Sequence, residues 1–208
     1  MFAFAPLLLL FILGAALSER SQVANQGDAP DVLIRTTTEE VVALIKQNGG
    51  SKADPDERQR LIGLIQEKVA PHFDFVAMTR SAVGVNWRSA TPKEQERLTF
   101  EFRALLLRTY SQVLLSYQDN EIVYKPLRLS PGDTDAVVKI EIKQSGREAI
   151  HISFAMEKTS AGWKVRDVVV LGVSLVTNYR SSFTTKIRES GIDGLIRELE
   201  EKNKQLRK

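Results

Sequence analysis

Two histidines, His72 and His151, are the first residues of this 208-residue chain that could serve as a general base or a metal ligand. An imidazole does either only in company: a second ligand at metal spacing, or a nucleophile and an orienting acid within reach. His72 follows Pro71 at an expected helix break. His151 stands among Ala149, Ser153 and Ala155 on one side of an expected strand. Neither position supplies that company. The stretch Gly172-Val173-Ser174-Leu175-Val176 has the outline of a nucleophile elbow, but Val176 stands where the second glycine belongs and the strands around it read as antiparallel. Ser174 is better suited to capping a helix. The chain has no cysteine, which removes thiolate zinc sites and leaves the redox compartment undecided. No phosphate-cradling glycine loop, dinucleotide fingerprint or two-carboxylate helix motif occurs. The expectation is a non-enzyme without metal or other cofactor; a lid-covered hydrolase built on Ser174 and His151 is the surviving enzymatic rival.

What the sequence offers in quantity is apolar chemistry. Phe73, Phe75, Met78, Val83 and Trp87 come from one short helical region, and Phe100, Phe102, Leu106, Tyr110, Val113 and Leu114 from a long one. Both face strands that supply Ile140, Ile152 and Phe154. On residue types alone an ordinary core accounts for this set. A cavity for an apolar small molecule is the alternative.

The elements that must position these residues are legible from periodicity and punctuation. A first helix is expected from about Asp31 to Asn48, ended by Gly49-Gly50. Asp54-Pro55-Asp56-Glu57 combines a cap, a first-turn proline and a capping-box acid, so a second helix follows until Pro71. Asp74 can cap a short third helix that Gly84 stops. Thr91-Pro92-Lys93-Glu94 opens a fourth that could run to Tyr117, about 26 residues or about 39 Å. Its middle, Ala104-Leu105-Leu106-Leu107, is apolar around most of its circumference and needs apolar neighbours on two sides.

Beyond Asp119 the texture becomes strand-like. Four antiparallel strands are expected: Glu121 to Leu129, a strand with Ala136, Val138, Ile140 and Ile142 on one face, a third with Ile150, Ile152, Phe154 and Met156, and Trp163 to Leu171. In the last, Trp163, Val165, Asp167 and Val169 are expected to share a face. Gly172 then hands the chain to a helix with the stripe Leu175, Tyr179, Phe183, Ile187; Gly191 closes it, and Asp193 can cap a final helix. The fold class is α+β, with helices covering one face of a curved four-stranded sheet and further helices at the C-terminal end. The shape resembles the cone of nuclear-transport-factor-like domains.

The composition suits one domain, residues 31–208, with 43% hydrophobic content for its core. A net charge of +3 dispersed along the chain gives no basic block, so nucleic acid is not an expected partner. Residues 1–17 lack charge and are rich in leucine and phenylalanine, the pattern of a signal peptide cleaved between about Ala16 and Ala24, although the basic n-region is missing. An uncleaved anchor competes with that reading, because the run meets the lower limit of about 17 residues for a bilayer span. Residues 18–30 are polar and small and are expected to form a disordered arm.

Two blocks carry a family resemblance. Trp163-Lys-Val-Arg-Asp-Val, Gly172-Val-Ser-Leu-Val-Thr-Asn-Tyr-Arg-Ser-Ser-Phe183 and Gly191-Ile-Asp-Gly-Leu-Ile196 form the first, and His72-Phe-Asp-Phe-Val-Ala-Met-Thr-Arg80 with Val83-Gly-Val-Asn-Trp-Arg88 the second. They resemble the MlaC, or toluene-tolerance, family of periplasmic phospholipid carriers, over roughly Thr38 to Leu199. The chain departs from the family pattern at Leu171, where an acidic residue is usual.

The resemblance implies a phospholipid as ligand, an outer-membrane lipoprotein-porin complex as one partner, and an inner-membrane ABC transporter with a mammalian-cell-entry-domain subunit as the other. It turns part of the apolar set into a cavity wall, taken as Phe75, Met78, Val83, Trp87, Phe102, Leu106, Tyr110, Val113, Leu114, Ile140, Ile152, Phe154, Val173 and Tyr179. Arg80, Arg88 and Arg180 lie near the expected mouth, as solvated surface residues or as contacts for a phosphate or a partner. Acyl chains leaving a bilayer for such a cavity exchange one apolar phase for another, so transfer needs no energy source in the carrier. A void of about 800 Å³ would cost roughly 19 kcal/mol, beyond a usual stability of about 5–15 kcal/mol, so the interior is expected to be filled or partly closed.

Overall fold

The computed structural model describes residues 29–115 and 120–206, so the leader and most of the expected arm lie outside the described residues. Helix α1 spans Pro30–Gln47, with Pro30 at its first position, where the missing N–H costs nothing. The expected arm therefore ends before Pro30, which is buried in the helix. Helix α2, Pro55–Val69, opens on the capping box read from the sequence: Asp54 accepts from the Asp56 and Glu57 amides while Glu57 accepts from the Asp54 amide. Helix α3, Phe75–Val83, is capped by Asp74, which accepts from the Ala77 amide at 2.8 Å. Helix α4, Pro92–Leu114, starts on the Thr91–Glu94 box and ends three residues short of the expected Tyr117, with Leu115 as its C-cap.

Among the described residues the sheet has five strands, not four, in the order β1-β2-β3-β4-β5, all antiparallel. Their spans are β1 Glu121–Tyr124, β2 Asp135–Lys143, β3 Ile150–Thr159, β4 Gly162–Val170 and β5 Val173–Ser174. The extra strand is a two-residue return made by a tight turn at Leu171 and Gly172, with φ values of 51° and 83°. Two successive positive φ angles are what a two-residue hairpin needs to match the twist of its strands. Leu171 is the only non-glycine residue with positive φ among the described residues. Aspartate or asparagine tolerates that conformation better than leucine does.

The expected face of β4 is also corrected. Ala155 pairs with Asp167 but Met156 pairs with Val165, so Arg166 is an extra residue in a β-bulge. Trp163 and Val165 point to the same side as Val168 and Val170, and Asp167 and Val169 turn to the other. Alternation in the sequence stops at the adjacent charges Arg166 and Asp167, and the bulge there shifts its phase by one.

Helix α5, Leu175–Gln205, begins on Ser174, whose hydroxyl accepts from the Thr177 amide at 3.0 Å. It breaks at Ser190 and Gly191, whose φ is 70°, and resumes through residue 205. The break sits at the glycine expected to close the helix, with Asp193 in the resumed part rather than as its cap. No helix among the described residues is long and apolar enough to cross a membrane.

Among the described residues the interior is three apolar clusters rather than one. A helical cluster joins α3, α4 and α5 through Met78, Val83, Phe102, Leu106, Phe183 and Leu195. A sheet cluster contains Val138, Ile140, Met156, Val165 and Val168 together with Ile34 of α1. A third joins α1 and α2 through Val41, Ile45, Leu61 and Ile65, and takes Leu115 from the end of α4. Helix α4 thus finds apolar neighbours on two sides, as its all-round apolar middle requires.

Candidate functional site

Strand β4 positions the starts of α3 and α5. At its first half, the Asp74 amide donates to the Val165 carbonyl at 2.9 Å, and Phe73 pairs with Val165 in a single parallel bridge, so the start of α3 is stitched to the sheet. At its second half, the bulge brings Asp167 to the start of α5. One Asp167 oxygen accepts from the Ser174 hydroxyl at 2.6 Å, and the other accepts from the Val176 amide at 3.2 Å and the Val168 amide at 2.8 Å. A carboxylate at a helix N-terminus meets unsatisfied N–H groups and the positive end of the dipole. Sequence reasoning missed Asp167, because only the bulge turns it toward the helix.

Phe73 packs against both the helical and the sheet clusters, stacking on Phe75 at 5.7 Å between centroids. On α5, Leu175 packs on the sheet cluster while Phe183, eight residues on, is buried in the helical one. Tyr179 lies between them, edge-on to Phe102 at 5.0 Å and 5.5 Å from Phe183. On α4, Leu106 belongs to the helical cluster, Tyr110 lies at its edge, and Leu114 packs against the third. Helix α1 bridges the sheet and third clusters from the other side through Ile34 and Val41. Each cluster carries half-buried apolar side chains packed against its buried members, and Phe73 is shared by the helical and sheet clusters.

The expected wall residues divide accordingly. Phe75, Met78, Val83, Phe102 and Leu106 are buried in the helical cluster, and Ile140 is buried in the sheet cluster. Trp87, Tyr110 and Tyr179 are half-buried against the former, and Ile152 and Phe154 against the latter. Leu114 is half-buried beside α1 and α2. Val113 and Val173 are 45% and 55% exposed, and the structure does not bring them to the others. The sequence set omitted Leu107, Ile122, Tyr124 and Val170, which are half-buried along the same cluster edges. The alternation of Ile122 and Tyr124 could have indicated the β1 pair.

The polar candidates are spoken for. The Ser174 hydroxyl is held by Asp167 and lies near the Thr177 hydroxyl at 3.1 Å. His151 is exposed on the outer face of the sheet, its Nδ1 3.2 Å from Glu141. His72 is half-buried; burial pushes its imidazole below the usual value, with Lys164 and Lys68 acting in the same sense and Glu40 against them. Among the described residues no cluster of three His, Cys, Asp or Glu could hold a metal. Two surface depressions occur elsewhere: one of about 390 Å³ between Ser181, Thr185, Lys186 and Glu198, and one of about 290 Å³ beside Leu105, Thr109 and Leu206. Neither is lined by any expected wall residue.

The family model described as MlaC protein matches residues 35–201, most of the chain. The chain belongs to the MlaC family. Among its relatives, the toluene tolerance protein ttg2D of Pseudomonas putida is 25% identical over 170 residues, covering 79% of this chain and 75% of that protein. The intermembrane phospholipid transport system binding protein MlaC of Haemophilus influenzae is 23% identical over 199 residues, covering 93% and 90%. A phospholipid-binding protein from Ralstonia solanacearum, solved in complex with a phospholipid, is 32% identical with a TM-score of 0.75, covering 87% of this chain and 100% of the solved one. The α+β reading and the family resemblance both hold.

Proposed function

We propose that this protein is a periplasmic carrier that holds the acyl chains of one phospholipid where its three apolar clusters meet, and moves that lipid between the outer and inner membranes. The observation that carries the reading is the 32% identical Ralstonia relative, whose solved chain is matched over its whole length and contains a phospholipid. The divided interior supports it. The half-buried residues Ile152, Phe154, Val170, Tyr110 and Tyr179 at the cluster edges have apolar area left to give to a guest, at about 25 cal/mol per Å² removed from water. Other expected wall residues, Phe75 to Leu106, support these from behind. On this reading the leader is removed on export, the lipid is exchanged with an outer-membrane lipoprotein-porin complex and an inner-membrane ABC transporter carrying a mammalian-cell-entry-domain subunit, and the result is maintained outer-membrane lipid asymmetry.

Extraction of the purified mature protein with organic solvent, followed by mass spectrometry, tests this. Near-stoichiometric phospholipid is expected. A lipid-free extract from a folded sample overturns the reading, and a different apolar compound replaces it with a binding module for that compound. Ile152→Arg places a charge on the half-buried edge of the sheet cluster and should lower phospholipid recovery severalfold.

A further inference from the structure

Two segments of the chain carry no acid. Residues 75–93 and 168–188 contain neither Asp nor Glu, although 26 of the 208 residues are acidic. They include helix α3, the 3₁₀ segment Gly84–Ser89 that follows it, the β4–β5 turn and the part of α5 before its break. The two segments are joined. The Arg180 Nε donates to the Ser81 carbonyl at 3.0 Å, and the arginine side chain passes 4.0 Å from where a Cβ on Gly84 would lie. That bond places a cation at the C-terminal end of α3, where the helix dipole favours one, and leaves the guanidinium its other N–H donors.

The exposed side chains at this joint are cationic and apolar together. Val76 and Arg80 are one turn apart on α3, so they share a face, and both are exposed. In a 3₁₀ turn residues three apart eclipse, which puts exposed Arg88 in line with Val85, itself 87% exposed. Among the described residues Arg80, Arg88 and Arg180 take part in no ion pair. The aromatic rings of the two segments, Phe75, Trp87, Tyr179 and Phe183, are buried or half-buried, so the face lacks the exposed ring that commonly anchors a protein partner. A protein partner also presents both signs of charge at fixed points, and a face without acids meets only one of them. An anionic bilayer asks for less: cations for its phosphates, and short aliphatic side chains for the layer just beneath them.

We infer that this face of α3, the 3₁₀ segment and α5 docks the protein on an anionic phospholipid bilayer, with Arg80, Arg88 and Arg180 on lipid phosphates and Val85 entering the headgroup layer. Such docking does not require the carrier reading. The test sediments the full mature protein with vesicles of equal dioleoyl phosphatidylglycerol and dioleoyl phosphatidylcholine, and with vesicles of the phosphatidylcholine alone. Partitioning should be more than about tenfold stronger on the anionic vesicles, and added salt should screen that preference away. Arg80→Gln and Arg88→Gln should each weaken it about fivefold, the worth of one arginine near an anionic surface. Val85→Ser should weaken it about threefold with an unchanged salt dependence. Arg147→Gln, which removes a cation from the β2–β3 turn, should leave it unchanged. All four positions are exposed, so folding is not at stake. Equal partitioning on the two vesicles, equal losses in Arg147→Gln and Arg88→Gln, or no loss in Val85→Ser overturns the inference. Retention on a poly-glutamate resin by a protein that ignores both vesicles assigns the face to an acidic protein, and overturns it too. The readout counts protein on vesicles, not lipid in the protein, so the carrier reading stands or falls by the solvent extract alone.

Discussion

The helical cluster and the inner face of the sheet are built from similar residues and finished differently. Around Phe102 the packing is closed: Phe102, Leu98, Ala82 and Val83 have no solvent exposure, and Met78, Leu195, Ile196 and Leu199 retain 1%. Along β3 the closure runs out. Met156, opposite Val165, is fully buried, but Phe154 opposite Val168 and Ile152 opposite Val170 are half-buried. The difference teaches where stability and function divide. The helices hold one another through interlocked side chains and a break at Gly191, and one end of the sheet face keeps apolar surface that the chain itself does not cover.

Two truncations of one side-chain type test that division most strongly. Phe102→Ala should cost about 3–5 kcal/mol in urea unfolding, as a large deletion from closed packing. Phe154→Ala should cost about 1–2 kcal/mol, because part of its ring already meets solvent, yet it should remove more phospholipid from the extract. Equal losses of stability would erase the distinction.

A single added methyl sharpens the same contrast. Gly194 is buried in the resumed part of α5, and a Cβ built there would lie 2.5 Å from the Cβ of Ser190. Gly194→Ala should therefore destabilise by about 1–3 kcal/mol despite the better helix propensity of alanine. A neutral result would mean that the helical half is looser than its burial indicates.

The junction between the two regions comes next in size. Asp167→Ala removes the acceptor shared by Ser174 and Val176 at the start of α5, and should cost about 1–2 kcal/mol. If hydrogen exchange then rises at residues 175–180 while β2 and β3 stay protected, the loss is local to the helix start. Uniform loss of protection would instead make Asp167 part of the core.

What the sequence made legible follows from how local each signal is. The boxes at Asp54–Glu57 and Thr91–Glu94 are complete within four residues, and both formed. The alternation of Ala136, Val138, Ile140 and Ile142 needs only one uninterrupted strand, and all four are buried. The face of Asp167 was misread because strict alternation was carried past the adjacent charges Arg166 and Asp167, whose break in the pattern marks the bulge, and β5 was missed because two residues carry no period. The division of the interior was illegible for another reason. Apolar residues at helical spacing show that a face is buried, not against which neighbour, so Met78 in closed packing and Ile152 at an open edge look alike in the sequence.

The smallest expected effect has the opposite sign. Leu171 adopts φ 51° at the tip of the β4–β5 turn and is 63% exposed, so its side chain recovers little of the backbone cost by burial within the chain. Asparagine tolerates this conformation through its short polar side chain and is favoured before glycine in two-residue hairpin turns. Leu171→Asn should stabilise the protein by about 0.5–1 kcal/mol, read as a higher urea midpoint with an unchanged slope. The turn sets the register in which Val169 faces Ser174, and through it the hold of Asp167 on α5. A stiffer turn should thus slow exchange at the Val176 amide as well. Stabilisation without that slowing would place the gain in the turn alone and uncouple the hairpin from the helix it introduces.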